Sequence, residues 1–208
     1  MKSQPNEEQT ITTSLKNIKN KWEINNNAIE IQKEIHSSQF TCVYIGILKK
    51  TNTVVAVKEF IQTGTDESYQ DFLNEISIIS KLDHFAITPF VGAIFSPKYS
   101  IITQFMSGGS LYSRLHSKIA SSKLTSTKLS IISLGIAYGM TYLHSKNIVH
   151  RDLKSLNILL DANDFPNISD FGVATIQQNE TLTGGAGTAQ WMAPEVLISQ
   201  KYDEKADV

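Results

Sequence analysis

Three observations predict an α+β protein in two parts, a small antiparallel β-rich part with one helix and a mainly helical part. Short β-branched runs with two-residue alternation occupy the chain up to Phe60. Apolar residues spaced three and four apart dominate from Leu129 onward. Between them, Met106-Ser107-Gly108-Gly109-Ser110 breaks the apolar run at Ile101-Ile102 with small, permissive residues, as a junction between the parts requires.

Residues 1–21 are polar, rich in Asn, Gln, Thr and Lys, with too little apolar surface to offset the entropy of ordering them, and read as a flexible leader. One domain is expected over 22–208: a first lobe at about 22–105, a hinge at about 104–109 and a partial second lobe at about 110–208. Ile29, Ile31 and Ile35 alternate with polar residues. The runs Val43-Tyr44-Ile45 and Val54-Val55-Ala56-Val57 are parted by the polar turn Lys49-Lys50-Thr51-Asn52-Thr53, and together these segments form an antiparallel meander. Phe72, Ile76 and Ile79 mark one helix. Leu129, Ile132, Ile136, Met140 and Leu143 mark a second.

With 19 basic and 20 acidic residues the formal charge is −1, so no whole-molecule field draws the chain to nucleic acid or to an anionic membrane. Any phosphate site must be local. The single Cys42 cannot form an internal disulfide and the first residues lack the apolar core of a secretory signal, which makes a reducing, cytoplasmic setting the expectation. No apolar run approaches the roughly 20 residues that span a bilayer.

Lys58 ends an apolar run, on the same strand face as Ala56 and Phe60. Glu75, seventeen residues on, sits among Phe72, Ile76 and Ile79, where a lone carboxylate would be costly to desolvate. Each charge supplies what the other lacks. Further along, His150-Arg151-Asp152-Leu153-Lys154-Ser155-Leu156-Asn157 is followed, thirteen residues after Asn157, by Asp170-Phe171-Gly172. A candidate base, a metal-binding amide and a metal-binding carboxylate thus stand at the spacing that phosphoryl transfer uses.

These segments, with Val55-Ala56-Val57-Lys58 and Gly187-Thr188-Ala189-Gln190-Trp191-Met192-Ala193-Pro194-Glu195, resemble a eukaryotic protein kinase domain. The Trp-Met-Ala-Pro-Glu form and Trp22-Glu23-Ile24 are similar to the tyrosine-kinase-like (TKL) group of Ser/Thr kinases. The resemblance implies a two-lobed kinase fold and transfer of the γ-phosphoryl of Mg-ATP to Ser or Thr of protein substrates in signalling. Asp152 would orient the acceptor hydroxyl, Lys154 would contact the transferring phosphate, and Asn157 and Asp170 would hold Mg2+. Lys58, paired with Glu75, would position the ATP phosphates. Around the nucleotide, Ile35, Val43, Ala56 and Leu159 would enclose the ring, Thr103 would be the gatekeeper, Gln104 and the Met106 backbone would line the hinge, and Ser110 would lie near the ribose. His150 and Phe171 would be packing elements and Thr188 would touch Asp152. Arg151 would pair with a phosphate carried on Thr181 or Thr183, placed there by an upstream kinase or by autophosphorylation, in a loop that also holds Thr175 and Gly184-Gly185.

The family's glycine-rich loop is replaced here by Ile35-His36-Ser37-Ser38-Gln39-Phe40-Thr41-Cys42-Val43, with His36, Ser38 and Thr41 at the three glycine positions. Glycine permits close backbone approach to phosphates, so weaker nucleotide affinity or slower turnover is expected, and glycine at 36 and 38 should restore it. A pseudokinase or scaffold is the alternative reading. Family members continue beyond the equivalent of Lys205-Ala206-Asp207-Val208 with a central helix. The fragment is therefore expected to be incomplete and unstable alone, with Asp207 tied to the catalytic-loop backbone and Glu195 buried without its arginine.

Overall fold

The computed structural model describes residues 16–61, 67–119, 123–177, 181–182, 185–198 and 201–208. They fall into two compact units, one comprising the chain through Lys81 together with Phe90–Phe105, the other comprising Leu82–Pro89 and Met106–Val208. The segment 82–89, expected in the first lobe, packs with the second unit instead. There Thr88 N–H donates to the Ile168 carbonyl and Ile168 N–H to the Ala86 carbonyl, at 2.9 and 2.8 Å. Its own sequence carries no periodic signal that would have shown this.

The first unit is a five-stranded antiparallel sheet of order β1-β2-β3-β5-β4. Its strands are β1 (Ile29–Ser37), β2 (Thr41–Leu48), β3 (Thr53–Phe60), β4 (Phe90–Ile94) and β5 (Ser100–Gln104), and helix α1 is Glu67–Ile79. The β2–β3 turn takes Asn52 to φ 54°, a left-handed conformation that Asn tolerates. Alternation divides the core. Val55, Val57, Ile29, Ile94 and Ile102 form one cluster, and Phe60, Ile101 and Ala93 join Phe72 and Ile76 of α1 in another.

The leader reading fails over 16–21, which belong to a helical stretch at 16–22. Ile18 packs against the Phe72 cluster; in the sequence Ile11, Leu15, Ile18 and Trp22 are spaced four, three and four residues apart, a helical signal that the polar composition around them masked. The rest of the leader, 1–15, lies outside the described residues.

The second unit holds β6 (Gly109–Ser110), α2 (Leu111–Leu115), α3 (Ser126–Ser145), β7 (Ile148–Val149), β8 (Ile158–Leu160), β9 (Pro166–Ile168), β10 (Thr175–Ile176) and α4 (Pro194–Ile198), with a 3-10 turn at Glu204–Asp207. Strands pair as β6-β8-β9 and as β10-β7. Thr125 caps α3 by accepting the Lys128 N–H. The buried stripe of α3 is Ile132, Gly135, Gly139, Met140 and Leu143. Of the residues expected there, Leu129 is exposed and Ile136 only half-buried. The two glycines move the contact line, because a Cβ at Gly135 would lie 2.5 Å from Pro166 and one at Gly139 2.6 Å from Ile168. The helix therefore lies closer to β9 than any side-chain stripe would permit. Among the described residues no helix is long and apolar enough to cross a membrane.

Candidate active site

In the first unit, β3 and α1 bring the two predicted charges together. Lys58 Nζ donates to Glu75 Oε2 at 2.7 Å, and the Glu75 side chain is only 3% exposed. A buried carboxylate at that depth requires such a partner. Directly opposed residues of an antiparallel pair share a face, and the register sets Val43 against Lys58 and Ala56 against Thr103. Val43, Ala56, Lys58 and Thr103 therefore lie on one face. Gln104 opposes Val55 and so belongs to the other face, which leaves only its backbone available to the site predicted for it. Ile35 falls where the β1–β2 register shifts, between Glu34 and His36, and is 47% exposed.

The loop that lacks glycine has a geometry that does without it. None of His36, Ser38 and Thr41 has a positive φ. Ser38 Oγ accepts the N–H groups of Thr41 (3.0 Å) and Phe40 (3.3 Å) and lies 3.1 Å from Thr41 Oγ1, while Ser38 N–H donates to the Thr41 carbonyl at 2.8 Å. Hydroxyl side chains close this turn, a role that Ser and Thr fill in many tight turns.

In the second unit the catalytic-loop residues converge on Asp152. Thr188 N–H and Thr188 Oγ1–H both donate to Oδ1, at 2.9 and 2.7 Å. Lys154 Nζ and Asn157 Nδ2 donate to Oδ2, at 2.6 and 3.1 Å. Lys154 Nζ also meets Thr188 Oγ1 at 2.6 Å, which aims that hydroxyl proton at Asp152. Asn157 Nδ2 further donates to the Asp152 carbonyl. With its nitrogen thus engaged, the amide oxygen is the atom that Asn157 can offer a cation. Ser169, directly before Asp170, donates both N–H and Oγ–H to the Asn157 carbonyl at 2.9 Å, so the two predicted metal residues are tied through one backbone carbonyl. An amide oxygen and an exposed carboxylate suit a hard divalent cation, and the pair fits the magnesium role expected of it.

Two residues of this loop region are held in left-handed backbone: Arg151 at φ 65° and Asp170 at φ 64°. Each costs on the order of 1 kcal/mol, strain that persists where surroundings over-determine it. At Arg151 the surroundings are visible. Asp207 accepts the N–H groups of His150 and Arg151, both at 2.8 Å, as expected of it, and also lies 3.0 Å from His144 Nε2. Gly187 presses on the other side, where a Cβ would stand 2.1 Å from the Arg151 carbonyl oxygen. His150 is fully buried against Phe171. It accepts the Asp152 N–H at Nδ1, leaving Nε2–H to donate to the Ser169 carbonyl at 3.1 Å. This is a packing histidine, as the resemblance implied.

Sequence reasoning overlooked His144, Ser169 and Tyr202. His144 stands six residues before His150 at the end of α3, and its spacing carried no signal without knowledge of Asp207. Arg151 Nε donates to the Val173 carbonyl at 2.6 Å, and its Nη1 approaches Tyr202 Oη at 3.5 Å. Leu182, next to Thr181, exchanges backbone hydrogen bonds with Tyr202. Thr183 and Gly184 lie outside the described residues. Ser110 opposes Leu159 across β6–β8 and caps α2 by accepting the Ser113 N–H. Met106 is buried and its carbonyl accepts the Gly109 N–H. Glu195 is half-buried in the first turn of α4 rather than buried, and the helix N-terminus favours its charge. A cavity of about 210 Å3 adjoins this region, lined by Arg151, Leu153, Trp191, Met192, Val196 and Tyr202 among others.

A model of the protein tyrosine and serine/threonine kinase family matches residues 29–208. The chain belongs to the protein kinase family. The kinase domain is 37% identical over 189 residues to serine/threonine-protein kinase STY46 of Arabidopsis thaliana, covering 90% of this chain and 32% of that protein. It is 36% identical over 217 residues to dual specificity protein kinase shkB of Dictyostelium discoideum, covering 97% and 33%. With the Raf homolog serine/threonine-protein kinase of Caenorhabditis elegans it shares 36% identity over 198 residues, covering 90% and 24%. These relatives place the kinase domain with the tyrosine-kinase-like group. The chain spans about a third or less of the length of these relatives.

Proposed function

We propose that this kinase domain transfers the γ-phosphoryl group of Mg-ATP to serine and threonine hydroxyls of protein substrates. The arrangement at Asp152 carries the reading. A threonine hydroxyl, that of Thr188, donates to Asp152 Oδ1 at 2.7 Å, the same kind of bond that an acceptor hydroxyl would make. Lys154, within 2.6 Å of both Asp152 and Thr188, brings a positive charge to where a transferring phosphoryl group would carry negative charge. Lys58, fixed by Glu75, serves the nucleotide phosphates, and Asn157 with Asp170 serves the metal. When bound, magnesium neutralises charge on the phosphate oxygens. Positioning of the hydroxyl and electrostatic stabilisation then supply most of the catalysis, as this reaction class requires.

The complete set Lys58, Glu75, Asp152, Asn157 and Asp170 supports an enzyme, and nothing observed favours a scaffold. The loop of Ser38 and Thr41, the main argument for a pseudokinase, is an ordered turn. Control by phosphate on Thr181 or Thr183 belongs to the same reading, with Arg151 as the recipient cation and an upstream kinase or the domain itself as the source. The single Cys42 supports a reducing, cytoplasmic setting. The test is to incubate the full-length protein with Mg-ATP and a peptide mixture offering Ser, Thr and Tyr. Phosphoserine and phosphothreonine are expected, and phosphate on tyrosine alone would overturn the acceptor assignment. Mass spectrometry of the active protein should find phosphate at Thr181 or Thr183.

A further inference from the structure

Glu75 is useful to Lys58 only while α1 is docked, and α1 is a 13-residue helix. Helices of that length are marginal on their own, so packing decides where it sits. Phe72 and Ile76, on either side of Glu75, are fully buried in the cluster with Phe60, Ala93 and Ile101. Phe72 also meets Phe95 edge-on, with ring centroids 5.3 Å apart.

Sheet and helix do not complete this cluster by themselves. Ile18, from the helical turn at 16–22, packs onto it, and Lys19 Nζ lies 5.7 Å from the centre of the Phe95 ring. The same segment is then fastened to β4. Trp22 meets Phe90 edge-on at 5.0 Å, and Ile24 N–H donates to the Ala93 carbonyl at 2.8 Å. β4 is shaped to receive it, because a Cβ at Gly92 would stand 2.8 Å from the Trp22 carbonyl oxygen and 2.5 Å from Ile24 Cδ1. Any residue other than glycine there would push the segment away.

We infer that residues 16–24 form a brace that holds the Glu75 helix docked, with Ile18 as its positioning residue and Gly92 as its seat. The brace touches none of the groups assigned to catalysis. Its loss acts by raising the fraction of molecules in which Glu75 has left Lys58, and activity falls in proportion to that fraction. The inference rests on the phosphotransfer reading for its kinetic consequence but not for its structural one.

The experiment compares wild-type full-length protein with Ile18→Asp, Gly92→Ala and Ile18→Leu, measuring kcat, KM for ATP and amide hydrogen exchange. Ile18 is near the surface, so Ile18→Asp leaves the buried core residues in place. For Ile18→Asp and Gly92→Ala, exchange at Phe72–Ile79 is expected to quicken by roughly tenfold while Ile132–Leu143 of α3 is unchanged, and kcat/KM to fall only as far as the docked fraction falls. Ile18→Leu, which refills the site, should match wild type. Wild-type exchange at Phe72–Ile79 in both disruptive variants would overturn the brace, as would quickening spread equally over α3. A wild-type protein with no turnover would defeat the phosphotransfer reading, and the exchange comparison would still decide the brace.

Discussion

Asp152 accepts four hydrogen bonds from three side chains and one backbone N–H, and the Thr188 hydroxyl is both donor to it and acceptor from Lys154. Thr188→Val keeps the backbone bond and the shape of the side chain but removes both hydroxyl contacts. Because Lys154 then loses one of its two anchors, kcat should fall roughly 10- to 100-fold with KM for ATP little changed, while Thr188→Ser should retain most activity. Steady-state kinetics checks this. At Ser38 the hydrogen bonds argue against the expectation drawn from glycine. The side-chain oxygen organises the turn through Phe40 N–H and Thr41 N–H, so Ser38→Gly removes order instead of restoring approach. We expect KM for ATP to rise a few-fold in that variant, and a fall would show that glycine's freedom outweighs the hydroxyl bonds.

At the scale of elements, α3 is placed by what two of its residues lack. Gly135→Ala would set a methyl group 2.5 Å from Pro166 Cγ, and Gly139→Ala would set one 2.6 Å from Ile168 Cδ1. Each should destabilise the second unit by about 1–3 kcal/mol despite alanine's better helix propensity, measured by denaturant unfolding. The turn between β8 and β9 is held by charge. Asp164 pairs with Lys128 of α3 and with Arg114 of α2, and the Lys128 hydrogen bond, followed by Arg114, holds its carboxyl below the usual carboxylate range. A lowered folded-state value means that the unfolded chain takes up this proton first. The stabilisation is therefore complete above the ordinary value of about 3.9 and is lost as pH falls toward the folded-state value. Asp164→Asn should cost roughly 2 kcal/mol at neutral pH, and the difference from wild type should shrink below about pH 4 in thermal melts. Periodicity made α1 and α3 legible as helices but misplaced the buried stripe of α3, because a scan for large apolar residues does not count glycines that are buried by close approach.

For the molecule as a whole, the chain order of strands and helices was enough to read a β-rich part and a helical part. Desolvation gave Glu75 a reason to seek a partner, but it was the match of Val55-Ala56-Val57-Lys58 to the family pattern that made Lys58 that partner, since an arbitrary lysine and glutamate more often both reach solvent. The convergence on Asp152 was not readable from physics without the family resemblance, since Thr188 stands 36 residues away and only the folded chain brings it to 2.7 Å. Asp207 and His144 are separated by 63 residues and show the same limit. What joins these distant residues is one loop whose strained backbone at Arg151 is fixed from both sides, by Asp207 and by Gly187. On the phosphotransfer reading, this loop presents Asp152 to an acceptor hydroxyl. The most direct measurement is turnover of a Ser/Thr peptide by full-length Asp152→Asn, alongside nucleotide-dependent thermal stabilisation of the same variant. Asn is nearly isosteric but lacks the charge, so turnover should fall roughly 10^2- to 10^4-fold while Mg-ATP still stabilises the protein. Undiminished turnover in that variant would contradict the claim.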